Sequence, residues 1–293
     1  LIMTPWFIRN QVAFGTLLSP GGLTALWFMD YDDLYTYPGC TLTASRWWAA
    51  GIAEILRVRF WALGQNLQSF IAVQGAVFLS PLIILGGWHL RKDRTVQVGV
   101  IAWLMTLGVM TVLFPFAGAR GGYFHSGAAL QPLFWALAVI GFDVFLAWGR
   151  RVRGWNIHQA RSFFGFALIG MALALSVFIV NQRLIGSGTW DAGYEKYTHL
   201  EDELLTLNAS LSDEVLVNNP PGYYFASGRA SLAIPDGNPQ VLLDVAHRYQ
   251  VEYVILESDH PQALNKLYLE PEANPAFILL WSDGSTHIFR VLD

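Results

Sequence analysis

The sequence predicts a multi-span α-helical membrane domain, with about four transmembrane helices plus an interfacial helix, followed by a small extracytoplasmic α/β domain. Four apolar stretches lie between Arg59 and Arg183, each near the length of about 20 residues that crosses a bilayer. The charge then changes sign. Residues 1–186 hold 13 Lys and Arg against 6 Asp and Glu, whereas residues 187–293 hold 5 against 16. So acidic a tail is expected to avoid nucleic acid and anionic lipid headgroups.

The four predicted spans contain one charged residue between them, Asp143. An acid inside a membrane is a functional candidate by default. Here Asp143 lies close enough to the cytoplasmic end of its span to meet Arg150 or Arg151 through water, which favours a structural role. The predicted spans are Phe70–Trp88, Val96–Phe116, Ala128–Trp148 and Phe163–Val180.

The short loops predict the orientation of these spans. Arg91, Lys92 and Arg94 lie between the first two spans, and four arginines lie between residues 150 and 161. The loop 117–131 carries only Arg120. Because basic loops remain in the cytoplasm, we expect the loop 117–131, residues 1–62 and the tail to lie outside.

The chain is predicted to have three parts. Residues 1–62 form an extracytoplasmic segment, residues 63–186 the transmembrane region, and residues 187–293 the soluble acidic domain. Residues 43–60 have the apolar and charged faces of an interfacial helix. The start at Leu1 reads as the end of an apolar helix, so we expect a piece of a longer multi-span protein.

Three carboxylates in the first part, Asp30, Asp32 and Asp33, are interleaved with Tyr and Trp. Such a cluster can position a cation, orient sugar hydroxyls or act as a base. Helix capping is the alternative. Asp32 and Asp33 are therefore weak catalytic candidates. Cys40 is the single cysteine, and no Cys/His metal spacing exists, so the one cofactor considered is a divalent cation.

The loop 117–131 is the sharpest site candidate. Arg120, Tyr123 and His125 follow one another closely, and Gly121 and Gly122 permit a close backbone approach. An arginine binds phosphate through charge-assisted hydrogen bonds, and a histidine adds a donor or moves a proton. Five residues separate Arg120 from His125, so the diglycine must bend the chain. The alternative is a snorkelling arginine beside a hydrogen-bonded loop histidine.

The tail has the pattern of a compact α/β sandwich. Its Pro-Pro-Gly turn is followed by Tyr223, Tyr224 and Arg229, which are weak candidates for contacting a sugar or peptide acceptor, with a packed aromatic turn as the alternative. No nucleotide-binding fingerprint is present. The predicted helices are Trp190–Leu207, Asn238–Tyr249 and Pro261–Tyr268; the predicted strands are Glu214–Asn218, Ala230–Ile234, Val251–Glu257, Phe277–Trp281 and Thr286–Val291.

Three motifs of residues 1–186 resemble one family. They are Pro5-Trp6-Phe7-Ile8-Arg9-Asn10, Tyr31-Asp32-Asp33-Leu34-Tyr35, and Arg120-Gly-Gly-Tyr123-Phe-His125 leading to Pro132. Together they are similar to bacterial polytopic (GT-C type) membrane glycosyltransferases that use polyprenyl-phosphate sugars, a group that includes protein O-mannosyltransferases and the aminoarabinose transferase of lipid A. The chain would match the C-terminal portion only.

The resemblance implies a multi-pass protein of the bacterial plasma membrane that transfers a sugar from a polyprenyl-phosphate carrier to a glycan, lipid or protein acceptor outside. It implies that Arg120, His125 and Tyr123 hold the carrier phosphate and that Arg9 lines the same cavity. The catalytic base would precede Leu1. The alternative is a non-enzymatic membrane-anchored protein whose α/β domain binds a partner or ligand.

Overall fold

The computed structural model describes residues 3–17, 24–186 and 191–292, and the chain divides into two compact units. We call the described part of residues 1–30 and 44–180 the helical unit. Residues 31–43 and 181–292 form the α/β unit. The structure therefore divides the chain differently from the predicted boundaries at residues 62 and 186, because residues 31–43 join the α/β unit. Leu1, where the end of an apolar helix was predicted, and Trp190, where a helix was predicted to begin, lie outside the described residues.

The helical unit consists of helices joined by short turns. Its helices are α1 (Thr4–Phe14), α2 (Ala44–Ala49), α3 (Ile52–Ser69), α4 (Ser80–His89), α5 (Arg94–Gly108), α6 (Pro115–Ala117), α7 (Tyr123–Gly127), α8 (Gln131–Arg153) and α9 (Ile157–Val180). Wider π-helical turns follow α3, α5, α6 and α9; they span Phe70–Gln74, Val109–Leu113, Gly118–Gly122 and Asn181–Ile185.

Three helical runs of the described residues are long and apolar enough to cross a membrane: Arg94–Leu113, Pro115–Arg153 and Ile157–Ile185. The prediction of four such spans is not confirmed at the first. There α3 ends at Ser69, and Ala76 and Val77 have φ of 42° and 61°, which interrupt the helix. The 10 residues of α4 then extend ~15 Å, about half of the hydrocarbon thickness. The predicted interfacial helix is likewise broken, at Gly51 with φ 85°.

Close glycine contacts pack α4 against α8. A Cβ atom on Gly86 would lie 2.0 Å from the Leu137 carbonyl oxygen, and one on Gly141 would lie 1.9 Å from that of Leu82. The two backbones can touch only because both positions lack a side chain, as is common between membrane helices. Around this contact a core forms from Ile83, Val96, Phe134, Leu137 and Ala138.

Polar side chains satisfy the backbone where the first predicted span is interrupted. Gln131 donates its amide N–H to the Gln74 carbonyl oxygen at 2.8 Å, and the Ser80 hydroxyl donates to that of Ile71 at 3.4 Å. Non-helical backbone is tolerated at membrane depth only when such partners exist. The interruption is thus built into the packing of the helical unit.

The α/β unit contains one five-stranded mixed sheet, in agreement with the predicted α/β domain. Its order is β2-β1-β3-β5-β4; β1 pairs in parallel with β2 and β3, and β5 pairs antiparallel with β3 and β4. The strands are β1 (Val215–Val217), β2 (Ser231–Ala233), β3 (Tyr253–Glu257), β4 (Phe277–Ser282) and β5 (Thr286–Val291). The helices are α10 (Ala192–Thr206), α11 (Pro220–Ser227), α12 (Pro239–Tyr249) and α13 (Asn265–Leu269).

Helices cover both faces of this sheet. On one face Leu200 and Leu204 of α10 and Tyr223 of α11 form a core with Val215 and Val217 of β1. The other face packs against α12 and α13 through a second core, which includes Leu216, Leu242, Val245, Leu264 and Leu267. The helices that follow β1 and β3 therefore lie on opposite faces of the sheet.

Residues 31–43 attach to the edge of this unit through specific bonds. The Asp236 amide donates to the Tyr35 carbonyl oxygen at 2.8 Å, beside a parallel bridge between Thr36 and Asp236. The guanidinium of Arg248 donates to the Tyr37 hydroxyl at 3.0 Å. A segment distant in sequence thereby becomes part of the α/β unit.

Candidate functional site

The loop between α6 and α7 bends where the glycines predicted a bend. Arg120 has φ −90° and ψ 18°, and Gly121 has φ 120° and ψ −17°, both outside the helical region. A φ of 120° is accessible to glycine and strains other residues. The prediction that the diglycine bends the chain between Arg120 and His125 is confirmed at Gly121, whereas Gly122 keeps helical angles.

This bend brings the backbone beside Arg120 against the imidazole of His125. A Cβ atom on Gly121 would lie 3.7 Å from both Cδ2 and Nε2 of His125. The side chains of Arg120 and His125 are both exposed. The arrangement offers a cation and an imidazole on one short turn, which suits an anionic oxygen ligand such as a phosphate.

Tyr123 does not share this exposed position. Its ring is completely buried, and its hydroxyl accepts a hydrogen bond from the indole N–H of Trp103 at 2.7 Å. The phenol thus ties the loop to α5. The buried position of Tyr123 corrects the expectation that it contacts the carrier phosphate, because a completely buried ring cannot touch a ligand.

Arg9 lies on the exposed side of α1. Its guanidinium donates to the Asn10 side-chain oxygen at 3.2 Å and lies 5.6 Å from the centre of the Phe14 ring. These described contacts stay within α1. They give no link between Arg9 and the Arg120 loop, so its place in a common cavity stays a prediction.

The predicted carboxylate cluster is divided between the two units. Asp30 belongs to the helical unit, whereas Asp32 and Asp33 begin a short 3₁₀ turn, Asp32–Tyr35, of the α/β unit. Asp33 is 1% exposed and therefore cannot meet a substrate. Asp32 is half-buried, and its Oδ2 accepts a hydrogen bond from the Gln262 amide at 3.2 Å.

Asp32 lines a cleft of about 550 Å³ that lies wholly within the α/β unit. The cleft is at the carboxyl ends of the three parallel strands. Asn218 and Asn219 follow β1, Ile234 follows β2, and Asp259 and Pro261 follow β3. The remaining lining residues are Tyr31, Tyr35, Pro220, Pro221 and Ala233.

No group of three or more His, Cys, Asp or Glu side chains is placed to hold a metal ion within residues 3–17, 24–186 and 191–292. The possible divalent cation therefore has no ligand set among the described residues. Asp32 and Asp259 are the two carboxylates that line the cleft.

The predicted Pro-Pro-Gly turn is instead the first turn of helix α11 (Pro220–Ser227), and the residues after this helix lead into a buried ion pair. The Arg229 guanidinium donates from Nε and Nη2 to the two oxygens of Glu201 at 2.8 and 2.7 Å, and from Nη1 to the carbonyl oxygens of Asp213, at 2.9 Å, and Ser210. Tyr223 donates its hydroxyl to Glu201 at 2.8 Å. Arg229 is 1% exposed and Tyr223 is fully buried.

This cluster favours packing of Tyr223 and Arg229 in the core over a site for the acceptor, although Tyr223 lies in helix α11 rather than in the predicted turn. Burial raises the pKa of Tyr223, and its hydrogen bond to Glu201 raises it further. Burial alone would lower the pKa of Arg229, but the ion pair with Glu201 outweighs it, and the net direction is upward. Both groups thus keep their protons and are occupied within the core, while Tyr224 remains exposed.

Sequence reasoning missed the residues that share the cleft with Asp32. Asn218 follows β1 directly and Asp259 is the second residue after β3. This position was the available signal, because the carboxyl ends of parallel strands meet at one edge of a sheet. It also missed Glu201, which continues the buried face of α10 between Leu200 and Leu204. Comparisons with protein-family models, curated proteins and solved structures found no match.

Proposed function

We propose that the chain is the C-terminal part of a membrane glycosyltransferase, which transfers a sugar from a polyprenyl-phosphate carrier to an acceptor at the outer face of the bacterial plasma membrane. Three apolar helical runs support the membrane location. The single observation that carries the proposal is the bend at Arg120 and Gly121, which exposes an arginine and places a histidine against the adjoining backbone.

The chemistry of the transfer explains why this loop matters. As the glycosidic bond to the carrier breaks, negative charge develops on the departing phosphate. A fixed cation and a hydrogen-bond donor stabilise that charge, and they do so more strongly where water is excluded. In this proposal Arg120 holds the phosphate and His125 supplies the second donor. Residues outside this chain supply the base.

The test is binding of undecaprenyl phosphate to the full chain in nanodiscs of neutral lipid, compared for the parent and Arg120→Ala. A charge-assisted hydrogen bond contributes about 1.5–3 kcal/mol, so we expect the variant to bind roughly 10- to 150-fold more weakly. Arg120→Lys keeps the charge but loses the forked geometry, and its affinity should lie between the two.

Arg151→Ala is the matched control, because it removes one exposed arginine from the end of α8 and leaves the loop intact. Equal losses in the two alanine variants would mean that only the total charge attracts the lipid. Unchanged binding in Arg120→Ala, with its fold preserved, would remove the basis of the glycosyltransferase proposal.

The second candidate is a membrane-anchored protein whose α/β unit binds a ligand without catalysis. The cleft at the carboxyl ends of β1, β2 and β3 is the observation that favours it. The two candidates differ in what they require of Arg120, since an anchored binding protein keeps its function in Arg120→Ala.

A further inference from the structure

The cleft of the α/β unit lies where open α/β sheets leave room for a ligand. The chain leaves β1 toward α11 on one face of the sheet and leaves β3 toward α13 on the other. Loops that diverge from neighbouring parallel strands open a crevice at the strand ends, and ligands of such folds bind there. The 550 Å³ of the cleft falls within the size range of small-molecule sites.

The residues of this cleft argue against a ligand that is held by a phosphate group. In many α/β folds the helix after the first strand directs its free N–H groups at a phosphate. Here α11 begins with Pro220 and Pro221, which have no N–H, and the Gly222 amide donates to the Asn219 side chain at 3.2 Å. None of the described lining residues is Lys, Arg or His. The described lining therefore offers a phosphate neither a cationic side chain nor the free N–H groups of a helix start.

The cleft is instead rich in hydrogen-bond acceptors. Asp259 accepts from the Asn218 amide through Oδ1 at 2.6 Å, and Asp32 accepts from Gln262 through Oδ2. These bonds use one oxygen of each carboxylate, and among the described residues the buried Asn218 Oδ1 has no hydrogen-bond partner. Because buried polar atoms are normally paired, a donor from outside the chain is the missing element.

Two tyrosines form an aromatic wall of the cleft, which requires a ligand with an apolar face. Tyr31 and Tyr35 pack edge to face with centroids 5.7 Å apart, and their hydroxyl oxygens are 3.2 Å from each other. Amphipathic rings of this kind give a ligand apolar surface together with hydroxyl groups. Pro220, Pro221 and Ile234 complete the apolar part.

We propose that this cleft binds a saccharide without phosphate, whose hydroxyl or amino groups donate to Asp32, Asp259 and Asn218 while its carbon face packs on the tyrosines. The hydroxyl groups of a sugar ring supply donors for the acceptors of the cleft. The apolar carbon face of the ring packs on the aromatic wall. This inference stands independently of glycosyl transfer at Arg120, since every residue in it belongs to the α/β unit.

The experiment is saturation-transfer NMR with the full chain in nanodiscs, titrated with maltose, cellobiose, mannobiose, the glucosamine disaccharide and glucose 1-phosphate. We expect saturable binding of at least one neutral or amino disaccharide and none of glucose 1-phosphate. In Asp32→Asn and in Asp259→Asn the affinity should fall about tenfold or more, because a hydrogen bond to a charged group is lost.

Asp202→Asn is the control, since it makes the same change on an exposed position of α10 outside the cleft. Absence of binding by all four disaccharides overturns the proposal. So does tighter binding of glucose 1-phosphate, or an equal effect of Asp202→Asn and Asp32→Asn. A chain that fails to bind undecaprenyl phosphate yet binds a disaccharide would reject the proposed function and retain the cleft.

Discussion

The ion pair between Glu201 and Arg229 gives the sharpest test of what holds the α/β unit together. Both side chains are almost completely buried: that of Glu201 is 9% exposed and that of Arg229 is 0% exposed. They are joined by two parallel hydrogen bonds. Removing one member of such a pair leaves a buried charge unpaired, which costs about 3–5 kcal/mol. We therefore expect Glu201→Leu and Arg229→Met each to destabilise the unit by about that amount.

The double variant Glu201→Leu/Arg229→Met should be more stable than either single variant. It removes both charges together, and apolar replacements of buried ion pairs are often neutral. The carbonyl oxygens of Ser210 and Asp213 lose a donor in both Arg229→Met chains, so this smaller cost cancels when those two are compared. The Tyr223 hydroxyl loses its acceptor and keeps the double variant below the parent.

Hydrogen exchange of the amides in β1 measures these changes, because Val215 and Val217 lie in the core beside Tyr223. A loss of 3–5 kcal/mol corresponds to exchange that is roughly 150- to 5,000-fold faster. Single variants that speed exchange by less than about fivefold would refute the reasoning. A double variant at least as unstable as the worse single variant would also refute it, because removal of the second charge would then have relieved none of the cost of the first.

Three further predictions concern other parts of the chain. Burial lowers the pKa of His287. As the pH falls below about 6.5, the unfolded chain therefore binds a proton before the folded chain does, and the free energy of unfolding declines. His287→Gln should flatten this decline in thermal unfolding between pH 7 and 5. Gly86→Ala forces a Cβ atom against the Leu137 carbonyl and should lower the melting temperature in detergent, by a cost of about 1–3 kcal/mol, whereas Gly108→Ala meets nothing within 4 Å and should not. Asn238→Ala removes the acceptor for the Gln240 and Val241 amides at the start of α12 and should cost about 1 kcal/mol, seen as faster exchange in that helix; an unchanged rate would show that the cap is dispensable.

Much of the α/β unit could be predicted from local sequence. The helix predicted at Asn238–Tyr249 is α12 (Pro239–Tyr249), because its apolar spacing and its Asn cap agree. The strand predicted at Val251–Glu257 is β3 (Tyr253–Glu257), with every residue buried. The periodic apolar face of α12 locates that helix, whereas β3 is located as a short, continuous apolar run.

The interruption of the first predicted span could not be predicted in the same way. Residues 60–90 contain no Asp, Glu, Lys or Arg, and hydropathy alone cannot distinguish one helix from two. The break at Ala76 and Val77 depends on partners from elsewhere, such as Gln131 for the Gln74 carbonyl oxygen. A window of sequence does not contain those partners.

For the candidate sites, the sequence by itself indicated the bend at Gly121, because glycine adopts a φ of 120° without the strain that other residues would suffer. It also determined the apolar helices and the acidic α/β tail. Only the tertiary structure decided that Asp32 joins Asn218 and Asp259 in one cleft. It also decided that Arg229 and Tyr223 donate their hydrogen bonds to Glu201 in the core. These outcomes depend on contacts between residues 22 to 230 positions apart, and such pairings follow from packing rather than from any local pattern.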